Sequence, residues 1–201
     1  MRFIFLVIMS AVLISLTGCQ KEPPITQALV YENAKQLKPF ELTDQNGQII
    51  SNEALIGSWN FLFLGYTSCP DICPMTLAKL QQVKRSLSSE FPVKVWFVSV
   101  DPNRDNSEKL KLYTQYFDPE FIAATADHPK LFPFVRDIGL MYAMADSKLT
   151  QYSVDHSASI ALIDAKGQLR AIFKPEFAPN TIPTINTDQL IDDFKKIARF
   201  Y

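Results

Sequence analysis

Two cysteines in the segment Thr67-Ser68-Cys69-Pro70-Asp71-Ile72-Cys73-Pro74 are the residues best suited to chemistry. If the first turn of a helix includes them, a separation of four puts both side chains on one face, within reach of each other or of one shared ion. Apolar positions Leu80, Val83 and Leu87, with Thr76 before them, recur at helical spacing after Pro74, and Asn60–Tyr66 ahead of the cysteines reads as a strand covered on both faces. The pair therefore falls at a strand-to-helix junction. A helix N-terminus carries partial positive charge and unpaired N–H groups, which draw a thiol below its ordinary pKa of about 8.5. Thiolate is both a nucleophile and a metal ligand, so a metal site, a redox-active pair and a structural disulfide all remain open. Tyr66, Pro70 and Pro74 read as shape around the pair.

A metal site needs a third ligand, and the chain has two histidines. His156 stands in Tyr152-Ser153-Val154-Asp155-His156-Ser157, just before a strand at Ile160, whereas His128 in Asp127-His128-Pro129 reads as a solvated turn residue. Company with the cysteines is what singles out His156. Asp101, ahead of Pro102, and Asp155 are candidates to orient the imidazole from outside the ligand set.

The elements that must position these groups follow from pattern. Phe40–Thr43 and Gln48–Ser51 flank the turn signal Asp44-Gln45-Asn46-Gly47, Val93–Val100 is a second buried strand, and Asp105 with Glu108 has capping-box spacing before a helix bearing Leu110, Tyr113 and Phe117. Phe121–Ala126 reads as a strand and residues 129–142 as a helix interrupted by Pro133 and Gly139. Ile160–Ile163 and Leu169–Phe173 form a hairpin around Asp164-Ala165-Lys166-Gly167, and Leu190, Phe194 and Ile197 mark a last helix. A βαβ half followed by a ββα half gives an α/β, thioredoxin-like order. In such a fold the loop before the Ile160 strand approaches the cysteine end of the sheet.

With 20 basic against 21 acidic side chains and no dense basic run, the chain offers no footprint for nucleic acid. Apolar residues at 47%, including 15 Phe, suffice for one packed domain and exclude disorder. The start reads as an address: Arg2, the apolar run Phe3–Leu13, then Leu16-Thr17-Gly18-Cys19, which resembles the lipobox of bacterial lipoproteins. That resemblance implies a signal peptide over 1–18, lipid on Cys19, and export to the periplasmic face of a bacterial membrane. Residues 19–38, with Pro23-Pro24 and few apolar positions, read as a tether, and 39–201 as the domain.

Four blocks make the chain recognisable: Phe40–Gly47, Gly65–Pro74, Ser99-Val100-Asp101-Pro102-Asn103-Arg104-Asp105, and Val154-Asp155-His156-Ser157. In order and spacing they resemble the SCO/SenC family across nearly the whole domain. The resemblance implies a thioredoxin-like fold with an inserted β-hairpin, carried as a monomeric domain. It also implies one copper ion held by Cys69, Cys73 and His156, and a role in maturing the dinuclear copper centre of cytochrome c oxidase, with that oxidase's copper-accepting subunit as partner. Two thiolates and an imidazole suit Cu(I), and Cu(II) where water or another group completes the set. A closed zinc cage wants four ligands. The alternative is a thiol-disulfide oxidoreductase in which Cys69 attacks, Cys73 resolves and the two cycle through a disulfide. Redox motifs usually have a two-residue spacer, and this one has three. Peroxiredoxin-like chemistry wants Thr or Ser where Tyr66 stands.

Overall fold

The computed structural model describes residues 22–144, 152–177, 179 and 181–201. The expected signal peptide, Cys19 and the start of the tether lie outside them. In chain order the elements are β1 (Leu29–Gln36), β2 (Leu42–Asp44), β3 (Ile49–Ile50), a 3-10 turn (Asn52–Leu55), β4 (Trp59–Gly65), α1 (Ile72–Leu87), β5 (Val93–Ser99), α2 (Ser107–Gln115) and β6 (Ile122–Thr125). There follow α3 (His128–Asp137), β7 (Tyr142–Met144), β8 (Val154–His156), β9 (Ile160–Ile163), β10 (Gln168–Phe173) and α4 (Thr187–Phe200).

The apolar run of β4 forms the middle of the main sheet, ordered β1-β10-β9-β4-β5-β6-β2-β3. Every residue of β4 is buried, as a strand covered on both faces requires. Even Asn60 fits, because its amide donates to the carbonyls of Leu55 and Ser58 and accepts from the Trp96 indole at 2.8 Å. The helix α1 packs through Thr76, Leu77, Leu80, Val83 and Leu87, all buried, and each fully buried leucine contributes about 1.5–3 kcal/mol relative to exposure. β4, β5 and β6 are parallel, whereas β9 and β10 return antiparallel. That is the thioredoxin-like order. Between α3 and β9 sits a separate two-stranded sheet, β7 with β8, which is the inserted hairpin.

Three local readings change. The tether does not reach Lys38, because Leu29–Gln36 is an edge strand paired with β10, and the backbone N–H groups of Gln27 and Ala28 donate to the buried Asp193 carboxylate. No residue of β1 is fully buried, so the strand leaves only a weak apolar signature; backbone pairing holds it, aided by Val30 and Tyr31 packing partly buried on the core and by Arg170 donating to the carbonyls of Tyr31 and Glu32. The cap of α2 is Asn106, which accepts from the Lys109 N–H at 2.9 Å, and Asp105 is committed elsewhere. His128 opens α3 with a half-buried ring stacked on Tyr142, its Nδ1 2.9 Å from the phenol oxygen, rather than standing in a solvated turn. Among the described residues, no helix is long and apolar enough to cross a membrane.

Candidate metal centre

Sheet register explains why distant residues meet. β4 and β5 are parallel with Gly65 opposite Ser99, so the Cys69–Cys73 loop and the loop starting at Val100 leave from the same edge. β9 runs the other way, with Ile160 opposite Phe63, so the segment entering it, Val154–Ser159, arrives at that edge too. Cys69 lies in the turn closed by its N–H to the Tyr66 carbonyl at 3.1 Å, and Cys73 is on the first turn of α1. The sulfur of Cys73 is 3.5 Å from Nε2 of His156, and the three donor atoms all lie within 4.8 Å of one another.

The imidazole is fixed on its other side by Nδ1 against the Ser157 carbonyl at 3.2 Å. A carbonyl only accepts, so this contact places an Nδ1 proton toward Ser157 and leaves Nε2 as the ring nitrogen that faces the sulfurs. The rings of Phe63 and Tyr66 stand edge-to-face to it, at centroid distances of 5.9 and 6.1 Å. Both cysteines are free thiols in this structure. The hydrogen bond with Cys73, helped by His156 and backbone N–H groups, draws the Cys69 thiol down to about 4 against the opposing effect of burial. Cys73 moves the opposite way, because its own hydrogen bond to Cys69, burial and the neighbouring negative charge all favour keeping its proton. One sulfur is thus ready as thiolate while its neighbour keeps a proton that metal binding must displace.

The donor set fits a soft ion. Metals bonded at about 2.0–2.3 Å to sulfur and nitrogen bridge donors roughly 4 Å apart. The Cys73–His156 pair is already inside that span, and the widest separation needs less than an ångström of closure. Three donors without a carboxylate favour Cu(I) over zinc or magnesium.

Residues 30–188 match the SCO1/SenC family. The chain belongs to the SCO1/SenC family. Among its relatives, an SCO2-like protein of Rickettsia prowazekii is 36% identical over 161 residues, covering 78% of each chain. Solved structures superpose well: copper-bound ScoI of Arabidopsis thaliana has a TM-score of 0.71 at 28% identity, covering 82% of this chain and 99% of that one. Copper-bound ScoI of Bradyrhizobium japonicum gives 0.65 at 28%, covering 83% and 99%.

Within this SCO1/SenC site, neither expected carboxylate touches the imidazole. Asp155 is exposed on β8, and the fully buried Asp101 accepts from the Tyr152 hydroxyl at 2.6 Å and from Arg104 Nε. Asp105 does what its capping-box spacing disguised: it accepts from the Thr67 N–H at 2.8 Å, the Thr67 hydroxyl at 2.5 Å and the Ser99 hydroxyl at 2.7 Å, pinning the cysteine loop. The signal that could have found it is topological, since loops after neighbouring parallel strands share an edge. Gly65 also escaped notice. A Cβ there would stand 2.8 Å from Cys73 Sγ and 2.5 Å from Phe97, so the missing side chain is the space the sulfur fills.

Two outcomes follow from this geometry. Gly65→Ala is expected to cost about 1–3 kcal/mol of stability by overpacking and to displace the Cys73 sulfur, read by urea denaturation and by slowed copper uptake. An unchanged midpoint would show that Phe97 yields freely. In the metal-free chain, iodoacetamide should modify Cys69 at least about tenfold faster than Cys73, because thiolate reacts and the second sulfur is fully enclosed. Its rate should hold nearly level from pH 8 to 6 and fall as acid approaches the depressed pKa of about 4. A rate that climbs tenfold per pH unit up to 8 would contradict the thiolate.

Proposed function

We propose that this chain carries one copper ion on Cys69, Cys73 and His156 and hands it to the copper-accepting subunit of cytochrome c oxidase, in building the oxidase's dinuclear copper centre. It does so as a monomeric domain tethered by lipid on Cys19 to the periplasmic face of a bacterial membrane, after removal of residues 1–18. One observation carries the reading: two sulfurs and an imidazole nitrogen, with Cys73 and His156 83 residues apart along the chain, converge within 4.8 Å. The copper-bound ScoI structures similar to this chain supply the ion's identity. Cys73 is fully enclosed, whereas the half-buried His156 and, at 9% exposure, Cys69 border solvent, so a recipient's thiolate can enter on that side and take the cargo by ligand exchange.

The test loads the reduced full chain with Cu(I) and with Cu(II) and mixes it with the oxidase subunit. One ion per chain, transferred to the subunit, is the expected result. A chain that binds stoichiometrically and gives up nothing would remove the delivery role. Loss of palmitate labelling in Cys19→Ala checks the anchor.

A second reading, thiol-disulfide exchange, is favoured by the asymmetry of the pair. The Cys69 thiolate attacks a target disulfide, Cys73 then displaces the target's sulfur, and the Cys73 proton leaves on the released thiol; the target gains two electrons and the pair becomes a disulfide. Rapid reduction of an oxidised subunit without copper transfer would select this role.

A further inference from the structure

Of the three donors, His156 is the one carried by the separate two-stranded sheet. It ends β8, which pairs only with β7 among the described residues, through Tyr142, Ala143 and Met144. The short hairpin alone does not explain why the imidazole rests at the cysteines. Beside the buried Val154, what joins it to the body of the domain is a side-chain bracket. Asp101 follows β5 and is wholly buried. Its Oδ1 accepts from the Tyr152 hydroxyl at 2.6 Å, its Oδ2 from Arg104 Nε, and Arg104 Nη1 donates to the Tyr152 carbonyl at 3.0 Å. The guanidinium lies 3.8 Å from the Tyr152 ring centroid and 5.3 Å from that of Tyr66, which in turn stands edge-on to His156. Both ends of Tyr152, backbone and phenol, are therefore gripped four residues ahead of the imidazole.

The same turn holds the other half of the site. Arg104 and Asp105 both donate their backbone N–H to the Asp101 carbonyl, at 3.2 and 3.0 Å, and Asp105 pins Thr67 in the cysteine loop. The cysteine loop and the histidine hairpin are thus fastened to one five-residue segment.

Building on the copper reading, we propose that Arg104 and Tyr152 are positioning residues that hold His156 at the cysteine pair and so set the affinity of the third ligand. Cu(II) needs the imidazole, whereas two thiolates alone suit Cu(I). A bracket acting through His156 therefore affects the two oxidation states unequally, which a general loss of stability does not.

Arg104→Met strips a buried carboxylate of its partner and endangers folding. Tyr152→Phe removes one hydroxyl and leaves the ion pair and the stack, so it is the variant of choice. In the metal-free full chain, amide hydrogen exchange at Val154–His156 should quicken about tenfold in Tyr152→Phe, with α1 unchanged, as expected for losing one charge-assisted hydrogen bond. In the loaded chain, Cu(II) affinity should fall about tenfold and Cu(I) affinity much less. Unaltered exchange at Val154–His156 overturns the bracket whatever copper does. Equal losses for Cu(I) and Cu(II) also overturn it, since the tyrosine then acts on the whole domain. If the unmodified chain binds no copper while the variant still shows faster local exchange, the bracket stands as the holder of His156 and the copper reading falls.

Discussion

Cys73→Ser will abolish one-to-one copper binding by the purified chain, for Cu(I) and Cu(II) alike. The residue is fully enclosed and its sulfur lies 3.5 Å from Nε2 of the imidazole. Serine offers a shorter, hard oxygen that stays protonated at neutral pH, so the soft pair becomes a single thiolate. Cys69→Ser should do the same. His156→Ala should weaken Cu(II) by more than about a hundredfold, exceeding the effect usual for groups that merely orient a ligand. Equilibrium titration against a chelating competitor reads all three. Stoichiometric binding surviving in Cys73→Ser would require another donor and would remove the proposed centre.

Asp105→Ala is expected to be the most destabilising single change near the site, by roughly 3–5 kcal/mol. The carboxylate is 1% exposed and satisfies the Thr67 N–H, the Thr67 hydroxyl and the Ser99 hydroxyl, with Lys109 Nζ at 3.4 Å. Its loss leaves buried donors without acceptors and releases the cysteine loop. Asp105→Asn keeps one carbonyl acceptor and should lose about half as much. With a urea slope of about 1–3 kcal/mol per molar, the alanine variant's midpoint should drop by about 2 M. A drop below half a molar would mean water replaces the carboxylate at no great cost, and the pinning argument would fail.

The two variants test different layers, ligand chemistry and loop support, and these layers differed in how visible they were. Cys69, Cys73 and the strand and helix flanking them could be read from local pattern, because a buried strand needs an unbroken apolar run and a packed helix needs its stripe. β1 could not be read that way, since an edge strand held mainly by its backbone buries no residue fully and lacks the unbroken apolar run of a central strand. Asp105 was misread for a related reason: the spacing to Glu108 matches a cap, but a carboxylate goes to the strongest buried donors within reach, and those lie on a different loop.

Composition, the two-cysteine spacing and the order of strands and helices are properties of the chain in one dimension, so the sequence alone determined the fold class, the thiol pair and its place at a helix start. Which groups meet that pair depends on register between strands that are far apart along the chain. Packing in three dimensions is what leaves the sulfur its space at Gly65, sets the Ser157 carbonyl rather than Asp155 or Asp101 against the imidazole, and brings Arg104 and Asp101 onto Tyr152 ahead of the histidine. Local periodicity reports which face of an element is buried; it carries no information about the neighbour buried against it.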